Sequence, residues 1–211
     1  RMLSIKEITE YLYWKIQYIF DPDLSNYHYE YFYTRFWGLN SEFYINKNIL
    51  DIGCGPRGSL YWAKQASKCV GLDPLAHFYR KMKPQSSNMQ LIQGYSEQIP
   101  FPDNTFDIVS SFNSLDHVQS PEKTCSEIYR VLKPQTYFLL ITEINHPPTL
   151  TEPHNIKPDY ILSLLGKFDI IKLNYYKKIY TRRIYKSLRE EKTLQNPQEN
   201  GIMIGMFYKK I

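Results

Sequence analysis

An apolar run that ends in Asp51 and breaks on Gly53, Gly55 and Gly58 leaves this chain few folds to choose from. Residues 48–58 read Asn-Ile-Leu-Asp-Ile-Gly-Cys-Gly-Pro-Arg-Gly. A strand that stops at glycines and hands over to a helix opens an α/β nucleotide-binding unit, because glycine lets the backbone turn sharply and approach a ligand. The pattern predicts a strand at 48–52 and a helix at 58–66.

From residue 48 the alternation continues. Further strands are expected at 68–72, 88–93, 106–111, 136–143, 168–175 and 202–208, and helices at 75–82, 120–132 and 157–166. Such alternation gives a parallel sheet with helices on both faces. Between the last two strands, 177–200 is polar and charged and shows no helical pattern. Upstream, Ile5, Ile8, Leu12, Ile16 and Ile19 recur at helical spacing, and Ser4 with Glu7 forms a capping box. Asp21-Pro22-Asp23 breaks that helix, and the aromatic stretch 26–38 reads as a second helix or lid ending at Gly38. The 211 residues suit one domain with a full core.

Two ligands compete for the glycine turn. Gly53-x-Gly55-x-x-Gly58, with Asp73 20 residues after Gly53, fits a dinucleotide fingerprint. Asp51 argues against it, since a carboxylate at the mouth of the turn repels a pyrophosphate. S-adenosylmethionine carries an ammonium and a sulfonium, which a carboxylate attracts. Pro56 also lacks an N–H for phosphate.

Four motifs follow in order: Leu50-Asp51-Ile52-Gly53-Cys54-Gly55, Gly71-Leu72-Asp73, the run from Gly94 to Asp107, and Ile128-Tyr129-Arg130-Val131-Leu132-Lys133-Pro134. With them the chain resembles class I S-adenosylmethionine-dependent methyltransferases of the type 11 small-molecule group, over roughly residues 46–145. The resemblance implies a Rossmann-like, doubly wound seven-stranded sheet of order 3-2-1-4-5-7-6 with the last strand antiparallel. It divides the chain into an N-terminal helical lid at 1–45 and a cofactor-binding domain at 46–211. It also implies site roles. Asp51 meets the methionine ammonium, and Gly53, Cys54 and Gly55 make room for the methionine and ribose. Asp73, followed by Pro74, accepts the ribose hydroxyls. Ser96 and Glu97 lie beside adenine, and Asn113 lies near the methyl group. The sequence departs from the family at Tyr95, where an acid is usual, and at Gln135-Thr136, where Gly-Gly is usual. Asp51 and Asp73 also admit a purely structural reading as helix caps.

Methyl transfer asks mainly for alignment and exclusion of water, plus a base when the acceptor is a hydroxyl or protonated amine. Asp116-His117 after the fourth strand and His146 after the fifth are the candidates for that chemistry. Glu143, Asn145 and His154 belong to a proline-rich segment suited to a substrate wall. Arg35 and Tyr33 are the candidates from the N-terminal segment, able to close over the cofactor carboxylate. Each histidine can instead be packed against a neighbouring helix or solvated in a loop. No compact ligand spacing is present, so no metal is expected. Asn145-His146-Pro147-Pro148 is not the Asn-Pro-Pro-Tyr signature of base-amine methylation, and Asn113-Ser114 stands where that signature belongs.

The net charge of +5 is concentrated in 167–192, including Lys177-Lys178, Arg182-Arg183 and Lys186. A solvated basic face explains it, and no base-reading motif accompanies it. Three cysteines, Cys54, Cys69 and Cys125, form no framework, as in a reducing compartment. No membrane span or signal-peptide pattern is visible, and Arg1 before Met2 reads as an added residue or the cut end of a longer chain. The expectation is a cytoplasmic methyltransferase acting on an oxygen or nitrogen of a small molecule. The alternatives are a non-catalytic cofactor-binding scaffold and a methyltransferase acting on RNA or another macromolecule. Oligomeric state is not legible.

Overall fold

The computed structural model describes residues 3–82, 88–181 and 183–211. Seven strands form one sheet: β1 (Asn48–Ile52), β2 (Lys68–Asp73), β3 (Met89–Gln93), β4 (Phe106–Phe112), β5 (Leu132–Ile144), β6 (Phe168–Lys177) and β7 (Gly201–Lys209). Their order is β3-β2-β1-β4-β5-β7-β6. The first five run parallel, and β7 runs antiparallel to both β5 and β6. This is the Rossmann-like order that the resemblance implies, and it reverses between β1 and β4, where such sheets bind ligands. The register sets Asp51 beside Ser110 and Gly71.

Alternation along the strands divides the core between two faces. One face takes Leu50, Ile52, Val70, Val109, Phe138 and Leu140 and packs on helices α4 (Pro121–Val131) and α5 (Pro158–Leu164). The other takes Ile49, Ile108, Leu139, Ile141, Ile202 and Ile204. It is covered by α3 (Ala76–Met82), α6 (Ile184–Arg189) and an aromatic segment comprising α2 (His28–Tyr33) and short 3-10 turns at Arg35–Trp37 and Ser41–Tyr44. In that segment the buried polar tips all find partners. Tyr44 donates to the Tyr33 carbonyl, and Trp37 Nε1 donates to the Phe32 carbonyl at 2.6 Å. The stretch 26–38 therefore contributes to the domain core, because its rings fill one sheet face.

Two expected elements differ. Residues 58–66 form a chain of tight turns where a helix was expected, with Tyr61 N bonded to Gly58 O and Ala63 N to Leu60 O, each at 3.1 Å. The carbonyls an α-helix would use are taken by side chains. Asn26 Nδ2 holds those of Arg57 and Gly58, and Asn88 Nδ2 holds those of Leu60 and Tyr61. Conversely, α6 forms inside the stretch that shows no helical pattern, closed by Ser187 Oγ accepting the Ile179 and Tyr180 N–H groups.

The first helix, α1 (Ile5–Phe20), carries the expected capping box. Its aliphatic stripe faces outward, however: Ile5 is 72 % exposed, Ile19 71 % and Phe20 82 %. The inward stripe is Glu7, Tyr11, Trp14 and Tyr18, also at helical spacing. These residues win because they bring aromatic area and hydrogen-bonding tips to a partly polar cleft that aliphatic side chains cannot satisfy.

Candidate active site

The site lies across the C-terminal ends of β1, β2, β4 and β5. Gly53 and Gly55 have φ of +67° and +56°, in the left-handed region. A Cβ at Gly53 would fall 2.3 Å from that of Ser114, and one at Gly55 would fall 3.1 Å from the Trp14 ring. Glycine at both positions lets the turn pass between β4 and α1.

Asp51 is buried at the end of β1. Ser59 donates to its Oδ2 and Ser110 to its Oδ1 at 2.8 Å. Because the one Ser110 proton is used there, the Tyr33 hydroxyl donates to Ser110, also at 2.8 Å. Burial lifts the Asp51 carboxyl to about 6 against these donors. Asp73, at the end of β2, accepts the Gly55 N–H at 3.1 Å and the Leu75 N–H at 2.8 Å. It thus caps the start of α3 and braces the glycine turn. Burial, with the charge of Glu10 behind it, pushes Asp73 up to about 7. Cys54 is buried in the turn, and burial pushes its thiol well up.

Asn113 follows β4 with φ +56°, and its Oδ1 is buried without a hydrogen-bond partner among the described residues. An orphaned acceptor beside two buried carboxylates fits a ligand bearing an ammonium and hydroxyl donors, and it opposes a pyrophosphate. This donor and acceptor set is compatible with S-adenosylmethionine.

Over the crevice lies α1. Trp14 rests against Gly55 and meets Tyr79 edge-on at 6.5 Å, Tyr11 meets Phe78 at 5.0 Å, and Tyr95 donates to Glu7. Tyr95, which departs from the family's acid, thus meets an acid on α1 instead. Lys6 sits in the fields of Glu10, Glu97 and Asp116, and burial lowers its pKa. Sequence reasoning missed Lys6, Glu7, Glu10 and Trp14. Their signal was the second helical stripe on α1, masked by the more hydrophobic one.

Other expected residues are committed elsewhere. Glu97 Oε1 accepts the Gln119 and Ser120 N–H groups, and Ser96 Oγ pairs with Thr124 Oγ1 at 2.9 Å, so both side chains brace the approach to α4. Asn145 Nδ2 donates to the Pro197 and Glu199 carbonyls, holding that loop. Tyr33 is core, and Arg35 is exposed on the following turn. Glu143 is paired with Lys178, and burial raises its pKa. Pro74 gives its carbonyl to Gln93 Nε2 at 3.2 Å.

The acceptor side is where the fold joins what the sequence separates. Asp116 and His117 sit on a 3-10 turn after β4, and His146 lies two residues beyond β5, the neighbouring strand. The proline-rich loop closes on itself through Asn145 N to Ile156 O at 2.9 Å, which brings Glu152 back. His146 Nε2 lies 3.4 Å from Asp116 Oδ2, and His117 Nε2 lies 3.7 Å from Glu152 Oε1 and 4.0 Å from Asp116 Oδ1. The Asp116 carboxylate lifts His146 to about 9 despite burial, and the two histidines hold Asp116 below the usual carboxylate range. His154 Nε2 bonds the Val118 carbonyl at 2.8 Å and staples the loop to the segment after β4.

Residues 50–140 match the type 11 family described as a methyltransferase domain. A sterol 24-C-methyltransferase of Pneumocystis carinii is 36% identical over 96 residues, 42% of this chain and 26% of that protein. A demethylmenaquinone methyltransferase of Listeria welshimeri is 31% identical over 131 residues, 57% of this chain and 56% of that one. The chain thus spans well under two thirds of the length of either relative. A putative methyltransferase from Bacillus halodurans shares the fold with a TM-score of 0.60 at 19% identity, covering 79% of this chain and 94% of that one. Over residues 50–140 this chain is similar to the type 11 methyltransferase domain.

Proposed function

We propose that the chain transfers a methyl group from S-adenosylmethionine to an oxygen or nitrogen of a small-molecule acceptor. The observation that carries the reading is the pair of buried carboxylates, Asp51 and Asp73, flanking the glycine turn beside the orphaned Asn113 Oδ1. S-adenosylmethionine supplies, when bound, a methyl group on a positively charged sulfur. Asp51 contributes the charge that attracts the ammonium, and its three-residue chain through Ser110 to Tyr33 keeps it aimed. Asp73 has lone pairs beyond those given to Gly55 and Leu75, and these receive the ribose hydroxyls. In this reading α1 is the lid, with Trp14 excluding water from the glycine turn.

The acceptor stands against Asp116, His117, His146 and Glu152, which orient its heteroatom and take up its proton. The names of the sterol and quinone relatives favour a small molecule over a macromolecule. The three cysteines are free and buried, which fits a reducing, cytoplasmic setting. Among the described residues no helix is long and apolar enough to cross a membrane.

Calorimetric titration with S-adenosylmethionine, S-adenosylhomocysteine and NAD tests the cofactor. Binding of both adenosyl ligands without NAD supports the reading. Binding without turnover of any acceptor in a metabolite screen favours the scaffold alternative, and no adenosyl binding by folded protein rejects the reading.

A further inference from the structure

We propose that Asp116, His146 and Glu152, with His117 beside them, form a binding site for one divalent transition-metal ion. Ligand atoms of the first three lie within 4.8 Å of one another. Two ligands about 2.1 Å from an ion and 90–110° apart are themselves separated by about 3.0–3.5 Å. The 3.4 Å between His146 Nε2 and Asp116 Oδ2 falls in that range, and 3.7 and 4.0 Å at His117 correspond to wider angles.

The independent observation is unmet polarity. Asp116 is 0 % exposed and His146 4 %, and they face each other as an ion pair at 3.4 Å, yet neither Asp116 oxygen nor His146 Nε2 makes a hydrogen bond of good geometry among the described residues. Both His117 ring nitrogens are in the same position. A native fold leaves buried groups without good hydrogen bonds only at a cost, unless something else occupies the space between them. A cation satisfies the carboxylate and the imidazoles together, as no single hydrogen-bond donor does.

The surrounding bonds orient the ligands. His146 Nδ1 lies 3.0 Å from the Pro147 carbonyl, which keeps a proton on Nδ1, so an ion that displaces the Nε2 proton meets the electron pair there. Thr149 donates to Glu152 Oε2 at 3.4 Å and leaves Oε1 toward His117. Pro147, Pro148 and Pro153 limit the loop's freedom before any ion binds. Two imidazoles with two carboxylates and no thiolate suit Zn²⁺, Mn²⁺ or Fe²⁺. Glu152 and His117 are partly exposed, so one side of the ion stays open to an acceptor oxygen. That last use rests on the methyl-transfer reading, whereas ion binding does not.

The test is calorimetric titration of chelator-stripped, tag-free protein with Zn²⁺ and with Mn²⁺, with S-adenosylmethionine titrated into the same preparation. One saturable ion per chain is expected, raising the unfolding temperature. Asp116→Asn, His146→Gln and the more exposed Glu152→Gln should each weaken binding at least about tenfold. Circular dichroism of the variants checks their fold, and the Glu152 variant keeps the test valid if the buried ones do not fold. Ion binding without cofactor binding keeps the site and sinks the methyl-transfer reading. Cofactor binding without an ion, or ion binding that all folded variants retain, overturns the site.

Discussion

At the residue scale the candidate cofactor crevice holds two buried carboxylates, Asp51 and Asp73, with no cation paired to them among the described residues. Asp73→Asn removes the charge, and with it one charge-assisted acceptor for the ribose. It should weaken S-adenosylmethionine binding by about 1.5–3 kcal/mol, roughly 10- to 150-fold. Calorimetry reads this directly, and unchanged affinity would remove Asp73 from the ribose. The raised carboxyls of Asp51, about 6, and Asp73, about 7, also predict a pH dependence. Between about pH 4 and 7 the folded chain holds protons at these groups that the unfolded chain has released. Their contribution to stability without ligand therefore falls as pH rises through that window. Cofactor affinity runs the other way, because the ammonium needs an ionised partner. It should rise by about tenfold or more from pH 5 to pH 8. A flat affinity profile would remove the electrostatic role of the pair.

At the element scale, the family resemblance flagged Gln135-Thr136 where Gly-Gly is usual, and the structure supplies the reason that this matters. Gln135 turns the chain early in β5 with φ +61°, in the region where a Cβ is strained. Gln135→Gly should relieve that strain and stabilise the protein by up to about 1 kcal/mol, a rise of about 2–4 °C in unfolding temperature. A lower unfolding temperature would mean that the Gln135 side chain contributes more than its backbone costs. The same reasoning explains the turns at 58–66. A helical window says nothing about distant amides, and Asn26 and Asn88 reach the first carbonyls from segments far away in sequence. In α1 the error is of another kind. Two stripes share the helix, and the aliphatic one is more visible in sequence than the stripe that Trp14 and Glu7 make.

At the scale of the whole molecule, several cations of the basic segment are engaged within the fold. Lys178 is paired with Glu143, Lys172 donates to the Phe36 carbonyl at 2.9 Å, and Arg189 lies 5.0 Å from the Tyr31 ring centre. Arg182 lies outside the described residues. With these cations committed, single-stranded RNA should bind weakly and without sequence preference at physiological salt. A filter-binding series should show no steep salt slope, and a slope matching many phosphate contacts would return the macromolecular alternative to first place.

The alternation of strands and helices, the glycine turn and the acids Asp51 and Asp73 beside it were legible in the chain itself, whereas the strand order came from the family resemblance. The first three depend on local rules: a strand period, glycine's freedom at positive φ, and the repulsion between Asp51 and a phosphate. The division of the acceptor side was not. Asp116 and His146 are 30 residues apart, and neither sits in a spacing that marks a site. They meet because β4 and β5 are neighbours in the sheet and because the proline-rich loop folds Glu152 back toward them. Which side of α1 faces the crevice was likewise decided by the partners waiting there, Gly55, Phe78 and Tyr95. Local propensity sets the elements, and only their packing brings together groups that no sequence interval relates.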